Sequence, residues 1–151
     1  MSEIIFRRIN ECEIPRILEI QTAAFCGEQG IPEEAIAEFL NDDPICWCAE
    51  LDGQICATVA AWDEGERYHF GRFVVIPEMR GQHIATKLAK FAFDDMFENG
   101  VETIYMEARD ITVRIVLAMG GKIIGEPWPF FKGNVTPLLL KKDEYFAAVK
   151  K

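Results

Sequence analysis

Two apolar runs separated by two residues constrain the fold of this chain most. Ile45 to Leu51 and Gln54 to Trp62 are joined by Asp52-Gly53, a pair that favours the positive φ angles of a tight hairpin turn. The runs are therefore predicted to be neighbouring antiparallel strands. A third strand is predicted from Glu66 to Val75, and it must end before Pro77 because proline has no backbone N–H to donate.

Segments with helical periodicity lie before and after these strands in the sequence. A strand over Ile4 to Ile9 precedes a helix over Cys12 to Phe25, which Gly27 and Gly30 are expected to end, and a second helix from Pro32 to Asn41. The remaining predicted elements are a helix over His83 to Phe97, a strand over Thr103 to Ala108, a helix over Ile111 to Met119, and strands over Ile123 to Gly125 and Thr136 to Leu140. This order predicts a mixed α/β fold with a single central, mostly antiparallel sheet flanked by helices.

Length and charge limit the function classes. The chain has 151 residues, of which 50% are hydrophobic, so one domain over residues 1–151 with a packed core is predicted. Lys plus Arg total 16 and Asp plus Glu total 25, giving a net charge of −9. Because no basic block is present to bind phosphates, nucleic acid and membranes are not expected as partners. The acidic surface favours a cationic ligand such as an amine, or serves solubility alone.

The sequence patterns that would indicate a targeting segment or a metal site are weak. The first residues, MSEIIFRRINE, carry charges, and no stretch reaches the roughly 18 apolar residues of a membrane span, so a cytoplasmic location is expected. The five cysteines have no repeated CxxC spacing, which argues against a disulfide framework or a zinc site. Cys46 and Cys48 are predicted to be buried thiols on one face of a strand.

The densest chemical signal is the segment from Phe73 to Ala85. It reads as a strand, a short loop and the beginning of a long amphipathic helix. The free backbone N–H groups of Gly81 to Ala85 and the positive end of the helix dipole would point at one place, which suits a pyrophosphate. The alternative is a plain connection between a strand and a helix.

This segment also resembles the signature of the GNAT acetyltransferase superfamily. Val75-Ile76-Pro77 is followed by Arg80-Gly81-Gln82-His83-Ile84-Ala85, with His83 at the position where the family usually has its central glycine. The stretch Glu28-Gln29-Gly30-Ile31-Pro32 resembles small stand-alone bacterial members, and Met119-Gly120-Gly121-Lys122 resembles the end of the family's last helix.

The resemblance implies an acyl-CoA-dependent N-acyltransferase with a GNAT-like fold. Such an enzyme moves an acetyl group from acetyl-CoA (coenzyme A) to a primary amine by direct transfer, without a metal. The strand before the motif would pair with the pantetheine arm, and the Phe73 amide would polarise the thioester carbonyl; an ordinary ladder amide is the alternative. The implied cofactor-binding residues are Phe73, Val74, Val75, Arg80, Gly81, Gln82, His83, Ile84, Ala85 and Thr86.

His69 is the candidate general base, because an alkyl ammonium must lose a proton before it can attack. Strict alternation along a strand would put His69, Gly71, Phe73 and Val75 on one face, with Gly71 leaving room for the amine. Some family members carry a glutamate base in the register of His69, six residues before Val75. A hydrogen-bonded structural histidine is the alternative.

Two positions depart from the family's pattern. Val116 stands where many members have the tyrosine that protonates the departing thiolate, so solvent, Tyr68 or Tyr105 would have to act instead. Arg109 stands where asparagine is common. A catalytically silent acyl-CoA-binding module therefore remains the alternative function. The segments Gly27 to Leu40 and Trp128 to Asn134 would contact the acceptor, whose identity stays open, as does a homodimer.

Overall fold

The structure, a computed structural model, describes residues 3–149. The strands are β1 (Ile4–Arg8), β2 (Ile45–Leu51), β3 (Gln54–Asp63), β4 (Tyr68–Val75), β5 (Thr103–Ala108), β6 (Lys122–Ile123), β7 (Trp128–Pro129) and β8 (Asn134–Lys141). The α-helices are α1 (Ile14–Thr22), α2 (Ile84–Glu98), α3 (Asp110–Ala118) and α4 (Lys142–Val149). Within these residues, no helix has the length and apolar character needed to cross a membrane.

The strands form one mixed sheet in the order β1-β2-β3-β4-β5-β8-β6, with β7 paired to β8. Every neighbouring pair is antiparallel except β4 and β5, which run parallel. The mixed α/β fold with a central, mostly antiparallel sheet is therefore confirmed. The β4–β5 register covers two positions, Tyr68 with Ile104 and His69 with Tyr105. Beyond them the two strands diverge, which opens the middle of the sheet.

The predicted hairpin forms β2 and β3. Asp52 and Gly53 have φ angles of 53° and 79°, and this pair of positive values is the backbone geometry that a two-residue hairpin turn requires. The predicted strand Thr103 to Ala108 is β5 with the same bounds. These elements agree with the sequence because their signals are local.

One face of the sheet carries the main hydrophobic core, and we call it the core face. Helix α2 packs there, and Phe93 on α2 is fully buried between Phe70 of β4 and Tyr145 of α4. The same cluster includes Val116 of α3 and Leu138 of β8. Burial of this continuous apolar surface supplies most of the driving force for folding on this side.

The opposite face, which we call the cleft face, is covered by α1 and by irregular helical segments. The helix predicted over Cys12 to Phe25 is instead a 3₁₀ turn, α1, and a π-helical segment from Ala23 to Glu28. Gly27 therefore lies inside the π segment and does not end it, because glycine costs a helix only about 1 kcal/mol. The second predicted helix is a 3₁₀ helix over Glu33–Asp42.

Two elements near the C-terminus have weak sequence signals. The helix α4 has one fully buried side chain, Tyr145. A single buried position does not produce the repeated apolar spacing from which a helix is predicted. The strand β7 has two residues and depends on its pairing with Val135 and Asn134 of β8. Tertiary contacts, which a sequence pattern does not contain, determine both elements.

Candidate active site

A cavity of about 490 Å³ opens where β4 and β5 diverge. Its walls come from both strands and from segments on the cleft face. The residues that line it include His69, Phe70, Gly71, Arg72 and Phe73 of β4, Met106 to Arg109 at the end of β5, and Gln29, Trp62, Phe130 and Phe131. The divergence of two parallel strands thus creates a large concave surface beside the predicted base, His69.

A β-bulge in β4 shapes this cavity. Gly71 pairs with Ala60 and Val74 with Thr58, so two residues of β4, Arg72 and Phe73, lie opposite the single residue between those partners. Arg72 has a φ of 60°, in the left-handed region that non-glycine residues rarely adopt. The bulge inserts one residue and so reverses the alternation of side chains beyond it.

The predicted shared face of His69, Gly71, Phe73 and Val75 is therefore wrong. His69 stacks on Trp62 on the cleft face, whereas the side chains of Phe73 and Val75 pack against the core-face cluster. Val74 faces the cleft side and packs with α1. Strict alternation fails because the extra residue at Arg72 is invisible to a two-residue period.

The edge of β4 that faces β5 is paired with that strand only at Tyr68 and His69. The Ile76 N–H donates to Cys56 O on β3, with N and O 2.9 Å apart. Main-chain polar groups alternate between the two edges of a strand, so those of Val75, next to Ile76, point away from β3, and the Val75 carbonyl oxygen accepts a hydrogen bond from Nε of Arg80. Phe73 lies within the bulge. Among the described strands none pairs with this part of the edge.

His69 is held by polar and aromatic contacts. Its Nδ1 lies 3.1 Å from Oε2 of Glu64, and its ring stacks on Trp62 with centroids 4.7 Å apart. A Cβ placed on Gly71 would lie 4.0 Å from His69 Nε2 and 3.5 Å from Cη2 of Trp62. Nδ1 therefore faces Glu64 and Nε2 faces the space beside Gly71, with Trp62 as the adjoining wall.

The loop between β4 and α2 turns sharply through two left-handed residues. After a 3₁₀ turn at Pro77–Met79, Gly81 has a φ of 82° and His83 a φ of 62°. His83 is the N-cap of α2, and no side chain caps the helix. The first N–H groups of α2 thus lack the capping partner that helices usually have. The left-handed backbone of His83 also explains why glycine suits this position.

Arg80 already has partners in this loop. Its Nε donates to Val75 O at 2.9 Å, and its two terminal nitrogens donate to the carboxylate of Glu28 at 2.9 and 2.8 Å. These hydrogen bonds lower the pKa of Glu28 and raise that of Arg80. Glu28 was one of the acidic residues in the segment expected to contact the acceptor; here it binds the cation of the loop.

The candidate proton donors have different surroundings. Val116 is fully buried against Gly121, so it belongs to the core and not to the cavity. The Tyr105 hydroxyl donates to Oε2 of Glu107 at 2.9 Å, and burial together with this carboxylate raises the pKa of Tyr105 to about 12. Tyr68 packs against the core-face cluster and is not among the cavity residues.

Sequence reasoning gave no role to several residues at the cavity. Glu64 orients His69, Glu107 accepts from Tyr105, and Arg72 donates to Ala35 O and Ile36 O of the 3₁₀ helix. The two hydrogen bonds of Arg72 join residues that are 36 and 37 positions apart in the chain. The short separations of Glu64 from His69 and of Glu107 from Tyr105, five and two residues, were the local signals available.

The sequence matches the model of the acetyltransferase (GNAT) family over residues 14–115. The matched range includes α1, the β2–β3 hairpin, β4, α2 and β5, which together surround the cavity and the loop. No curated protein sequence matches the chain significantly.

Solved structures share the fold. An acyl-CoA N-acyltransferase from Pseudomonas aeruginosa has a TM-score of 0.78 at 18% identity, over 92% of this chain and 99% of its own. A GNAT-family acetyltransferase from Staphylococcus aureus has a TM-score of 0.71 at 17% identity, over 93% and 99%. The protein yncA from Salmonella typhimurium, solved with its cofactor acetyl-CoA, has a TM-score of 0.74 at 14% identity, over 94% and 95%.

Proposed function

The chain belongs to the acetyltransferase (GNAT) family and is an acyl-CoA-dependent N-acyltransferase, and we propose that it transfers an acetyl group from acetyl-CoA directly to a primary amine in the cavity between β4 and β5. One observation carries this proposal. The β5-facing edge of β4 beyond His69 pairs with no strand of the described residues, and a short loop leads from its end at Val75 to the N-terminus of α2, which no side chain caps. A donor for a thioester, a candidate base and an anion site thus follow one another along one segment.

The residues present fit acetyl-CoA, which supplies the acetyl group as a reactive thioester. The main chain of Phe73 to Val75 would pair with the amides of the pantetheine arm, as an added strand pairs with a sheet edge. The N–H groups of Gly81 to Thr86 would receive the pyrophosphate at the beginning of α2. At Gly81, nothing lies within 4 Å of the place a Cβ would occupy, so a ligand can approach the backbone.

Arg80 supplies the cation of this anion site. In the structure its guanidinium binds Glu28, so binding a phosphate requires an exchange of one anionic partner for another. The side chains of both residues are nearly half exposed, and pairs of this kind contribute only about 0.2–1 kcal/mol. The exchange is therefore energetically accessible.

The Phe73 amide is the proposed electrophilic group. A fixed backbone donor aimed at a carbonyl oxygen stabilises the negative charge that develops there during attack by an amine. Removing one such donor from an enzyme typically costs about 2.7–4 kcal/mol of transition-state stabilisation. The bulge at Arg72 fixes the orientation of this amide.

His69 is the proposed general base. With the Nδ1–H donating to Glu64, the Nε2 lone pair faces the space beside Gly71 and accepts the ammonium proton, directly or through a water molecule. Glu64 is then a positioning residue, because it holds the tautomer and stabilises the imidazolium. The thiolate takes its proton from solvent, since Val116 has no proton to give and a thiol with a pKa near 8.5 is readily protonated at neutral pH.

The test is release of free thiol from acetyl-CoA, followed with a thiol dye across a panel of primary amines. The expected result is release that depends on the amine and yields the N-acetyl product in equal amount. Release that no amine stimulates contradicts the proposal and leaves binding with slow hydrolysis.

A further inference from the structure

We propose that the amine acceptor is an amino acid and that Arg109 binds its carboxylate, an inference that rests on the proposed function. The observation behind it is a guanidinium on the cavity wall without an acidic partner. Arg109 lies at the end of β5 and is the N-cap residue of α3. It lines the same cavity as His69.

Three segments hold the guanidinium in place. Its Nη2 donates to Oε1 of Gln29 at 2.8 Å, and its Cζ lies 5.3 Å from the centre of the Phe130 ring. A Cβ at Gly133 would come within 2.9 Å of Nη1, so the glycine leaves the space that the guanidinium occupies in this position. Gly133, the side-chain amide of Gln29 and the Phe130 ring are thus the neighbours that position the guanidinium of Arg109.

The charge of Arg109 is not compensated. Its side-chain partner, Gln29, is neutral, and Arg109 forms no ion pair with any residue of the range 3–149. Burial lowers its pKa below the ordinary value for arginine. A guanidinium has five N–H donors in a planar fork that matches a carboxylate. A carboxylate on the ligand would therefore supply the partner that the protein does not.

The other charged groups of the cavity support a zwitterion over a simple amine. Arg72 also lines the wall, but its two terminal nitrogens already bind the Ala35 and Ile36 carbonyls. Glu38 and Glu107 are the acidic residues of the lining. With two acidic and two basic side chains the cavity has balanced charge, which suits a ligand carrying one ammonium and one carboxylate.

The distance along β5 bears on the size of the acceptor. His69 pairs with Tyr105, and Arg109 follows four residues later, a backbone span of about 13 Å at 3.3 Å per residue. The long arginine side chain covers part of this span. Both α-amino acids and amino acids with a wider separation of amine and carboxylate therefore belong in the test, while Phe130 and Phe131 offer an apolar wall for a side chain.

The experiment compares acceptors in pairs that differ by the carboxylate: phenylalanine with phenethylamine, leucine with isoamylamine, and 5-aminovalerate with butylamine. For the preferred pair, the expected kcat/KM of the carboxylate member exceeds that of its partner about 10- to 100-fold, as expected for one charge-assisted hydrogen-bonded pair. Arg109→Ala removes this difference by lowering kcat/KM for the amino acid alone. Arg109→Lys retains part of it, because the charge remains while the planar fork is lost.

The control is Arg114→Ala, which removes an exposed cation of α3 that does not line the cavity and should leave the ratio unchanged. Acetyl-CoA affinity, measured by calorimetry, should be the same in all variants. Transfer to the simple amines with none to the amino acids overturns this inference and leaves the proposed function standing. Transfer to no member of any pair overturns both. A loss of acetyl-CoA affinity in Arg109→Ala that equals the loss in kcat/KM assigns Arg109 to the cofactor and also overturns the inference.

Discussion

The two faces of the sheet are built in different ways. On the core face, regular α-helices close over one continuous cluster in which Phe93, Phe97 and Leu88 of α2 are fully buried. On the cleft face, α1 together with the π and 3₁₀ segments covers two smaller clusters and leaves the cavity open. The cavity-lining residues that this face contributes, among them Phe25, Ala35 and Glu38, come from the π and 3₁₀ segments, whereas α1 contributes none. On this face the regular helix therefore serves burial, and the irregular segments form the cavity wall.

Strand β4 belongs to both faces. Its consecutive residues His69 and Phe70 point to opposite sides, and the bulge after them changes which residues face the cleft. Substitutions on the cleft face should therefore change activity, and substitutions on the core face should change stability.

On the cleft face, His69→Ala should lower kcat by about 10²- to 10⁴-fold, because a general base is lost. Acetyl-CoA affinity and the free energy of unfolding should change little, and the pH–rate profile should lose its lower limb. His69→Gln should behave alike, and Glu64→Gln should shift the profile with a smaller loss of kcat. Steady-state kinetics across pH measures all three, and wild-type turnover in His69→Ala would refute the role of the base.

On the core face, Phe93→Ala should lower the free energy of unfolding by about 3–5 kcal/mol, since it empties a buried site between two aromatic rings. Urea unfolding measures the loss, and the fraction that remains folded should keep its kcat. Phe91 on the same helix is 37% exposed, so Phe91→Ala is the matched control with a much smaller loss. Similar losses for the two variants would show that α2 is not packed as described.

In the loop between β4 and α2, Arg80→Ala should weaken acetyl-CoA binding by about 1–3 kcal/mol, because a charge-assisted hydrogen bond to phosphate is removed. Pantetheine analogues that lack the phosphates should be affected less. Calorimetry with both ligands checks this, and an equal loss for both would rule out a phosphate role for Arg80.

The smallest expected effect comes from Glu28→Gln, which frees Arg80 from its partner. Acetyl-CoA affinity should rise by about 1.5- to 5-fold, the worth of an exposed ion pair. The pair is present at neutral pH, because Arg80 holds the pKa of Glu28 below its ordinary value. It should be lost only as the pH falls through that lowered pKa. In an Arg80→Ala background the same substitution should do nothing, and an undiminished gain there would contradict the pairing.

The sequence predicts the parts of this fold that have local causes. The Asp52-Gly53 turn, the end of β4 before Pro77 and the amphipathic helix α2 each follow from neighbouring residues. The bulge does not, because an arginine at a positive φ has no sequence signal and is stabilised by carbonyls 36 and 37 residues away. One extra residue was enough to reverse the predicted face of Phe73.

The candidate site is likewise predictable only in part. The loop before α2 and His69 were singled out because a motif and a strand register are sequence patterns, and their roles in binding and catalysis stay predictions. Contacts between distant segments were not found, since Arg80 and Glu28 are 52 residues apart and Arg109 and Gln29 are 80 apart. Their pairing depends on how the π segment docks on the sheet.

The π segment's end also connects two substrates through adjacent residues. Glu28 binds Arg80 beside the proposed phosphate site, and its neighbour Gln29 binds Arg109 beside the proposed acceptor site. Displacement of Glu28 by the first ligand would alter the support of the second, so the affinities of the two ligands would be thermodynamically coupled. Such coupling is reciprocal: whatever factor acetyl-CoA applies to acceptor affinity, the acceptor must apply to acetyl-CoA. Two neighbouring side chains would thereby make the binding of the two ligands cooperative without any separate regulatory element.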